Sequence, residues 1–110
     1  MFRDDFVWGV ASSAYQIEGR DANDGAGAMI WDKFIAEGGT KDGYGAEVAC
    51  DHMHRYKDDF AFMRLMGIKA YRFSISWARL IPEGTGKVNE KAVALYRDMI
   101  LEMKKNGIEP

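Results

Sequence analysis

The sequence predicts an α/β fold in which helices connect parallel β-strands within a single domain over residues 1–110. Apolar, strand-like segments alternate with amphipathic, helix-like segments, and this order builds a parallel sheet with right-handed crossovers. Each predicted helix is followed by glycine, which favours a helix end. The composition, 47% hydrophobic and 29% charged, is typical of a globular domain with a modest core.

The first strand is predicted over residues 6–12, an apolar run between charged residues and small residues. We expect it to be buried, and the small residues after it allow a ligand to approach the backbone. Residues 19–27 are predicted as a loop because of their glycine and polar content. Residues 29–35 are predicted as a short helix that stops at Gly38 and Gly39.

The first long helix is predicted over residues 51–66. The carboxylate of Asp51 can accept hydrogen bonds from the free backbone N–H groups of the first turn, and Gly67 suits a left-handed end. The apolar face consists of Tyr56, Phe60 and Met63.

The second strand is predicted over residues 69–77 because apolar and polar side chains alternate. The apolar face carries Tyr71, Phe73, Ile75 and Trp77, and the polar face carries Arg72, Ser74 and Ser76. Periodicity leaves two interpretations open. The polar face meets water in an antiparallel sheet, or it points into the lumen of a (β/α)8 barrel, where Arg72 requires an anionic partner.

The second long helix is predicted over residues 90–105, with Asn89 as its N-cap and Gly107 after its last turn. Its buried stripe is predicted as Val93, Tyr96, Ile100 and Met103. Residues 108–110 then begin a third strand.

Charge and cysteine content limit the function classes. A net charge of −2 without a basic block argues against a nucleic-acid partner. No secretory signal is visible, because the N-terminus lacks a basic region followed by an apolar run. No apolar run approaches the ~20 residues of a membrane-spanning helix. No membrane partner is therefore expected. The single cysteine, Cys50, forms no internal disulfide and is expected to be inert, which fits a cytoplasmic protein.

Four segments resemble glycoside hydrolase family 1, the retaining β-glucosidases and 6-phospho-β-glucosidases. They are FVWGVASSAYQIEG (residues 6–19), DHMHRY (51–56), YRFSISWARLIPEG (71–84) and GKVNEK (86–91). They follow the family's order, although the family usually has Pro at Ala78 and Tyr at Met53. Neither departure touches a sugar-binding position. The resemblance implies the first two βα units of an incomplete (β/α)8 TIM barrel, which typically needs ~250 residues.

The resemblance also implies roles for two residues. Gln16 matches the family glutamine that binds sugar hydroxyls where the glycosidic bond breaks, a task that suits an amide because it donates and accepts. Arg72 matches the arginine that pairs with the nucleophilic glutamate. The alternative for Gln16 is that it is a loop glutamine that caps backbone groups. The alternative for Arg72 is that it forms a structural ion pair.

The two catalytic carboxyl groups of a retaining glycosidase are not expected in this chain. In the family they follow the fourth and seventh strands, in Asn-Glu-Pro-type and Glu-Asn-Gly-type segments. Asn89-Glu90 begins a helix, and Glu109-Pro110 leads into the third strand, so neither matches. We therefore expect the N-terminal portion of a hydrolase of carbohydrate metabolism that needs the rest of its barrel for stability and is inactive alone.

Under that interpretation the parent enzyme hydrolyses a terminal β-D-glucosyl residue of a small glucoside or oligosaccharide, without metal or organic cofactor. A 6-phospho-β-glucosidase and a non-catalytic sugar-binding relative are the alternatives, and a stand-alone α/β module is a third.

The remaining polar and aromatic residues are interpreted as structural. Glu18 and Asp32 are expected to cap or pair. His52 and His54 diverge on a helix and are not expected to share a metal. Core positions are predicted for Trp8, Trp31, Trp77, Met53, Met63 and Met66.

Overall fold

The computed structural model describes residues 1–21 and 23–110. In chain order its elements are β1 (Gly9–Ala11), α1 (Ala14–Ile17), α2 (Ile30–Ala36), α3 (His52–Leu65), β2 (Ala70–Arg72), α4 (Trp77–Leu80) and α5 (Glu90–Lys105). Among the described residues, no helix has the length and apolar character that a bilayer crossing requires.

The strands form a parallel sheet. The register aligns Gly9 with Ala70 and Ala11 with Arg72. Glu109 adds a parallel bridge to Ala70 on the other side of β2, where the N–H of Tyr71 donates to the carbonyl of Glu109 at 2.9 Å. The predicted parallel order and the beginning of a third strand are confirmed.

Both strands are shorter than predicted, and β1 is exposed along its whole length. The prediction of a buried first strand is wrong, because the buried side chains of the described residues gather around β2 instead. Tyr71 is 2% exposed, whereas Phe6 and Trp8 are 46% and 53% exposed. The tryptophans predicted as core residues are likewise exposed, namely Trp8, Trp31 and Trp77.

The second strand ends at Arg72 rather than at residue 77 because a helix cap follows it. The Oγ of Ser76 accepts a hydrogen bond from the N–H of Arg79 at 3.3 Å, so Trp77 begins α4. The predicted alternation holds from buried Tyr71 to exposed Ser74, with Phe73 packed against the core, and it fails from Ile75 onward.

The core lies where α3, α5 and β2 meet. Both long helices were predicted to within one residue at either end. The side chains with almost no exposure are Phe60, Met99, Met103 and Ile108. Burial of an aromatic or aliphatic side chain of this size contributes about 1.5–3 kcal/mol. Of the other methionines predicted in the core, Met53 is buried, Met63 packs at the edge and Met66 is exposed.

The buried face of α5 differs from the predicted stripe. Its fully buried residues are Ala92, Tyr96, Met99 and Met103. Val93 is 40% exposed, and Ile100 is only partly buried against the core. The helix is therefore turned relative to the prediction, because packing against α3 and β2 selects the face that carries the methionines.

Neither predicted N-cap makes a side-chain bond to the backbone of its own helix. Asp51 has left-handed backbone, with φ of 54°, and its carboxylate contacts the side chains of His54 and Arg55. The amide of Asn89 instead donates to the carbonyl oxygens of Asp24 and Arg79, at 2.8 and 3.1 Å. The side chains of Asp51 and Asn89 thus bond to other groups instead of capping their helices.

The predicted glycine ends of both long helices are confirmed. Gly67 and Gly107 have φ of 77° and 72°. The N–H of Ile68 donates to the carbonyl of Met63, and that of Ile108 to the carbonyl of Met103, both at 3.0 Å. These turns direct the chain into β2 and toward the third strand.

The segment between β1 and α3 contains two short helices. The helix predicted over residues 29–35 is α2, shifted by one residue, and none of its residues is buried. Helix α1 was not predicted, because its four residues are too few to show a helical period.

We predict that the isolated 110-residue chain self-associates, since large apolar side chains remain exposed. They include Ile30, Phe62, Leu65, Met66 and Leu101, each more than half exposed. Sedimentation velocity at increasing concentration should show mass above 12.4 kDa. Leu101→Gln should reduce association, and Lys105→Gln, at an exposed polar position on the same helix, should not. A monomeric chain with a sharp cooperative melt would contradict this prediction.

Candidate active-site edge and its buried anchor

Gln16 lies on α1, just beyond the carboxyl end of β1. Its side chain is exposed. The hydroxyl of Ser13 donates a hydrogen bond to Oε1 of Gln16 at 2.8 Å. The side chain therefore does not cap a backbone group through this contact, and its amide group remains available at the surface.

Arg72 is the last residue of β2. Tyr71 packs into the core, so the alternation of the strand directs Arg72 to the opposite, open face of the sheet. Among the described residues, Arg72 forms no ion pair. Its backbone carbonyl accepts from the N–H of Ser12 at 3.0 Å.

Gln16 and Arg72 therefore belong to the same edge of the sheet. Arg72 aligns with Ala11, and α1 begins three residues after Ala11. The carboxyl ends of parallel strands form this edge, which carries the active site in (β/α)8 barrels. The structure thus brings the segments of both sequence-predicted site residues to one edge of the sheet.

A buried ion pair joins the segments that follow β1 and β2 at this edge. Glu18 is 4% exposed and Arg79 is 5% exposed. The Nε of Arg79 donates to Oε2 of Glu18 at 3.2 Å, and an Nη donates to the carbonyl of Gly19 at 2.7 Å. The other Nη contacts the carboxylate of Asp24. The guanidinium therefore fastens the loop that follows α1.

Tyr96, on α5, completes this group. Its hydroxyl lies 2.8 and 3.0 Å from the two carboxylate oxygens of Glu18 and donates to that carboxylate. The same oxygen accepts from the N–H of Ser76 at 2.9 Å. We call Glu18, Arg79 and Tyr96 the buried anchor, because they join the loop after β1, the segment after β2 and helix α5.

The electrostatics of the buried anchor are those of a desolvated but paired carboxylate. Burial raises the pKa of Glu18, while the hydrogen bond from Tyr96 and the charge of Arg79 act in the opposite direction. Burial, with the neighbouring charge of Glu18, also raises the pKa of the Tyr96 phenol, which stays protonated and donates. The expectation that Glu18 pairs structurally is confirmed.

A cavity of about 160 Å³ lies beside the buried anchor, between α1, α2 and the loops. Asp32 borders it and accepts from Arg20 at 2.9 Å and from the N–H of Met29 at 2.7 Å. Asp32 is thus a pairing residue, as expected.

The two histidines have separate partners. The Nδ1 of His52 lies 2.5 Å from Asp59 in the interior, and the Nδ1 of His54 lies 2.6 Å from Asp51 at the surface. Within residues 1–21 and 23–110, no group of three or more potential ligands could hold a metal ion.

Sequence reasoning did not identify Arg79, Ser76 or Tyr96 as parts of one arrangement. Glu18 and Tyr96 are 78 residues apart, and Glu18 and Arg79 are 61 residues apart. No local spacing links them. The available signal was a charge, Arg79, inside the 71–84 segment that already resembled the family.

Comparison with known proteins gives a consistent family. The profile of glycosyl hydrolase family 1 matches residues 1–110. Beta-glucosidase A of Acetivibrio thermocellus is 51% identical over 110 residues, which are 99% of this chain and 25% of that protein. An aryl-phospho-β-D-glucosidase of Bacillus subtilis is 50% identical over 106 residues, 96% of this chain and 22% of that protein. The chain spans about a quarter of the length of such relatives.

Solved structures agree. A β-glucosidase from Thermotoga maritima, in complex with cyclophellitol, superimposes with a TM-score of 0.91 at 48% identity, over 97% of this chain and 25% of that one. A rice β-glucosidase in a covalent complex with glucose gives 0.93 at 44% identity, over 99% and 23%. These relatives are TIM barrels, and the chain corresponds to their N-terminal quarter. The predicted fold class is confirmed.

We predict that His54 titrates above its ordinary pKa of 6.5, because the carboxylate of Asp51 accepts its hydrogen bond and attracts its charge. The raised pKa means that the pair stabilises the fold below pH 6.5 and that this contribution is lost as pH rises through the new value. The pKa of Asp51 is lowered by the same hydrogen bond, so its contribution is present above 3.8 and is lost on acidification through the lowered value.

NMR titration of the His54 signal, at concentrations that keep the chain monomeric, measures this shift. Asp51→Asn should return the His54 signal to about 6.5. A His54 signal that titrates at 6.5 in the unsubstituted chain would contradict the prediction.

Proposed function

The chain belongs to glycosyl hydrolase family 1, and on that premise we propose that residues 1–110 form the N-terminal part of one (β/α)8 catalytic domain of a retaining β-glycosidase. Its reaction is hydrolysis of terminal β-D-glucosyl residues. The observation that carries this proposal is the match to β-glucosidases over the whole chain, together with the position of Gln16 and Arg72 at the carboxyl edge of the sheet.

In this proposal Gln16 binds the sugar. An exposed amide offers one acceptor oxygen and two N–H donors, so it can bind neighbouring hydroxyls of a pyranose ring simultaneously. The contact from Ser13 to Oε1 holds the amide oxygen in the free protein. Sugar hydroxyls can replace that contact when substrate binds.

Arg72 acts on the nucleophile. Retaining hydrolysis uses two carboxyl groups roughly 5–5.5 Å apart, one a nucleophile and the other a general acid and base. A guanidinium beside the nucleophile favours its ionised form, while the acid/base carboxyl keeps its proton. The open-face position of Arg72, free of an ion pair among the described residues, suits a partner from later barrel strands.

A 6-phospho-β-glucosidase is the second candidate. The observation that favours it is the 50% identity to the aryl-phospho-β-D-glucosidase of Bacillus subtilis, close to that of the plain β-glucosidases. Neither Gln16 nor Arg72 distinguishes a phosphorylated from a plain sugar, because both serve the ring and the reacting bond.

The proposed partner is a small β-glucoside or oligosaccharide, and the proposed setting is carbohydrate metabolism in the cytoplasm. The free, exposed thiol of Cys50 is compatible with a reducing compartment. The rest of the barrel is the proposed stabilising partner of the exposed apolar surfaces.

We predict activity when the barrel is completed. The joined barrel consists of residues 1–110 followed by the part of the Thermotoga maritima β-glucosidase beyond its matching quarter. It should hydrolyse an aryl β-glucoside with retention, detected by chromogenic assay and by NMR of the first anomer formed. Residues 1–110 alone are the control and should be inactive. A joined barrel that melts cooperatively yet turns over neither the plain nor the 6-phosphorylated glucoside would contradict the proposal.

We predict that Gln16→Ala in the joined barrel lowers kcat/KM by about 10- to 100-fold, because hydrogen bonds that strengthen in the transition state are lost. The matched control is Glu37→Gln, an exposed position just after α2, which should leave kcat/KM unchanged. Equal kcat/KM for Gln16→Ala and the unsubstituted protein would remove Gln16 from the site.

A further inference from the structure

We propose that Glu18 and Tyr96 are positioning residues that fix Gln16 through helix α1. The carboxylate of Glu18, held from α5 by the Tyr96 hydroxyl, anchors the C-terminal end of this short helix and so sets where the Gln16 amide lies. The inference rests on the proposed function, because it concerns the sugar-binding role of Gln16.

Helix α1 cannot hold its own geometry. It has four residues, Ala14–Ile17, far below the length at which an isolated helix is stable in water. Its N-cap, Ser13, makes no side-chain bond to the helix backbone. The position of Gln16 must therefore come from contacts outside α1.

Two contacts fix the ends of α1. At the N-terminal end, the N–H of Ala14 donates to Oγ of Ser74 at 2.8 Å. At the C-terminal end, Glu18 is the C-cap residue, and its side chain enters the buried anchor. Gln16 lies between these points, while its own side chain is exposed.

The Glu18 end is the stronger of the two. Both carboxylate oxygens lie within 3.0 Å of the Tyr96 hydroxyl, and Arg79 adds a charged donor at 3.2 Å. The backbone carbonyl of Glu18 also accepts from the N–H of Met53 at 3.3 Å. Hydrogen bonds to a charged, buried acceptor are stronger than neutral ones.

The Tyr96 hydroxyl has a second task. It accepts from the N–H of Ser76, four residues beyond Arg72. One oxygen atom thus joins the helix that carries Gln16 to the segment that follows Arg72. Loss of this oxygen removes one of the contacts that hold the helix with Gln16, and a displacement of about 1 Å at a binding group can cost up to about 100-fold in rate.

The test compares two tyrosine-to-phenylalanine substitutions in the joined barrel. Tyr96→Phe removes the hydroxyl of the buried anchor. Tyr56→Phe is the matched control, because its ring is also buried and its hydroxyl also donates to a carboxylate, but that carboxylate belongs to Asp98 on α5 and not to the buried anchor. Tyr96→Phe should lower kcat/KM about tenfold more than Tyr56→Phe.

A double-substitution cycle separates positioning from general loss of stability. In a Gln16→Ala background, Tyr96→Phe should reduce kcat/KM no further than Tyr56→Phe, because the group it positions is absent. Ser74→Ala removes the contact at the other end of α1 and should behave in the same way with a smaller loss. If Tyr96→Phe yields no folded protein, Ser74→Ala tests the positioning role in its place.

The outcomes separate the two proposals. A folded joined barrel without turnover overturns the proposed function and this inference with it. Normal turnover, with Tyr96→Phe and Ser74→Ala indistinguishable from Tyr56→Phe, overturns the positioning role alone. Losses that persist undiminished in the Gln16→Ala background also overturn it, because they show destabilisation rather than placement of Gln16.

Discussion

The ion pair between Glu18 and Arg79 is almost completely removed from solvent, and the rest of the structure is arranged around that constraint. A buried charge must be paired and hydrogen-bonded, since loss of one partner from such a pair costs about 3–5 kcal/mol. The loop after β1, the segment after β2 and helix α5 must therefore meet at one place. Asp24 and Asn89 extend the contact to the loop around residue 24 and to the start of α5.

This arrangement places buried polar contacts in the segments that follow an exposed edge of the sheet. The apolar core between α3, α5 and β2 positions the two long helices. The buried anchor then connects α5 to the short segment that bears Gln16 and to the segment that follows Arg72. Neither segment has enough regular structure to define itself. This edge thus depends on polar contacts more than on strand pairing, which extends over only three residues in each strand.

The long helices could be predicted because their apolar period and terminal glycines are local signals, and the glycine signal holds at Gly67 and Gly107. The family and the barrel could be predicted from local segments for the same reason. Three features could not be predicted: the end of β2, the exposure of Trp77 and the turned face of α5. They depend on Ser76, on Tyr96 and on packing partners distant in sequence. The candidate residues Gln16 and Arg72 came from a resemblance. The contacts around them became visible only in three dimensions.

The Tyr96 hydroxyl also determines when the amino-terminal loop can fold during synthesis. Glu18 leaves the ribosome 78 residues before the phenol that binds it, an interval of roughly 4 to 16 s at 5–20 residues per second. Throughout that interval its carboxylate stays hydrated, because desolvation without the tyrosine and the arginine is unfavourable. The amino-terminal loop therefore closes late during translation, although its residues are made first. A pause or a cut between β2 and α5 would leave that loop open to proteases and chaperones.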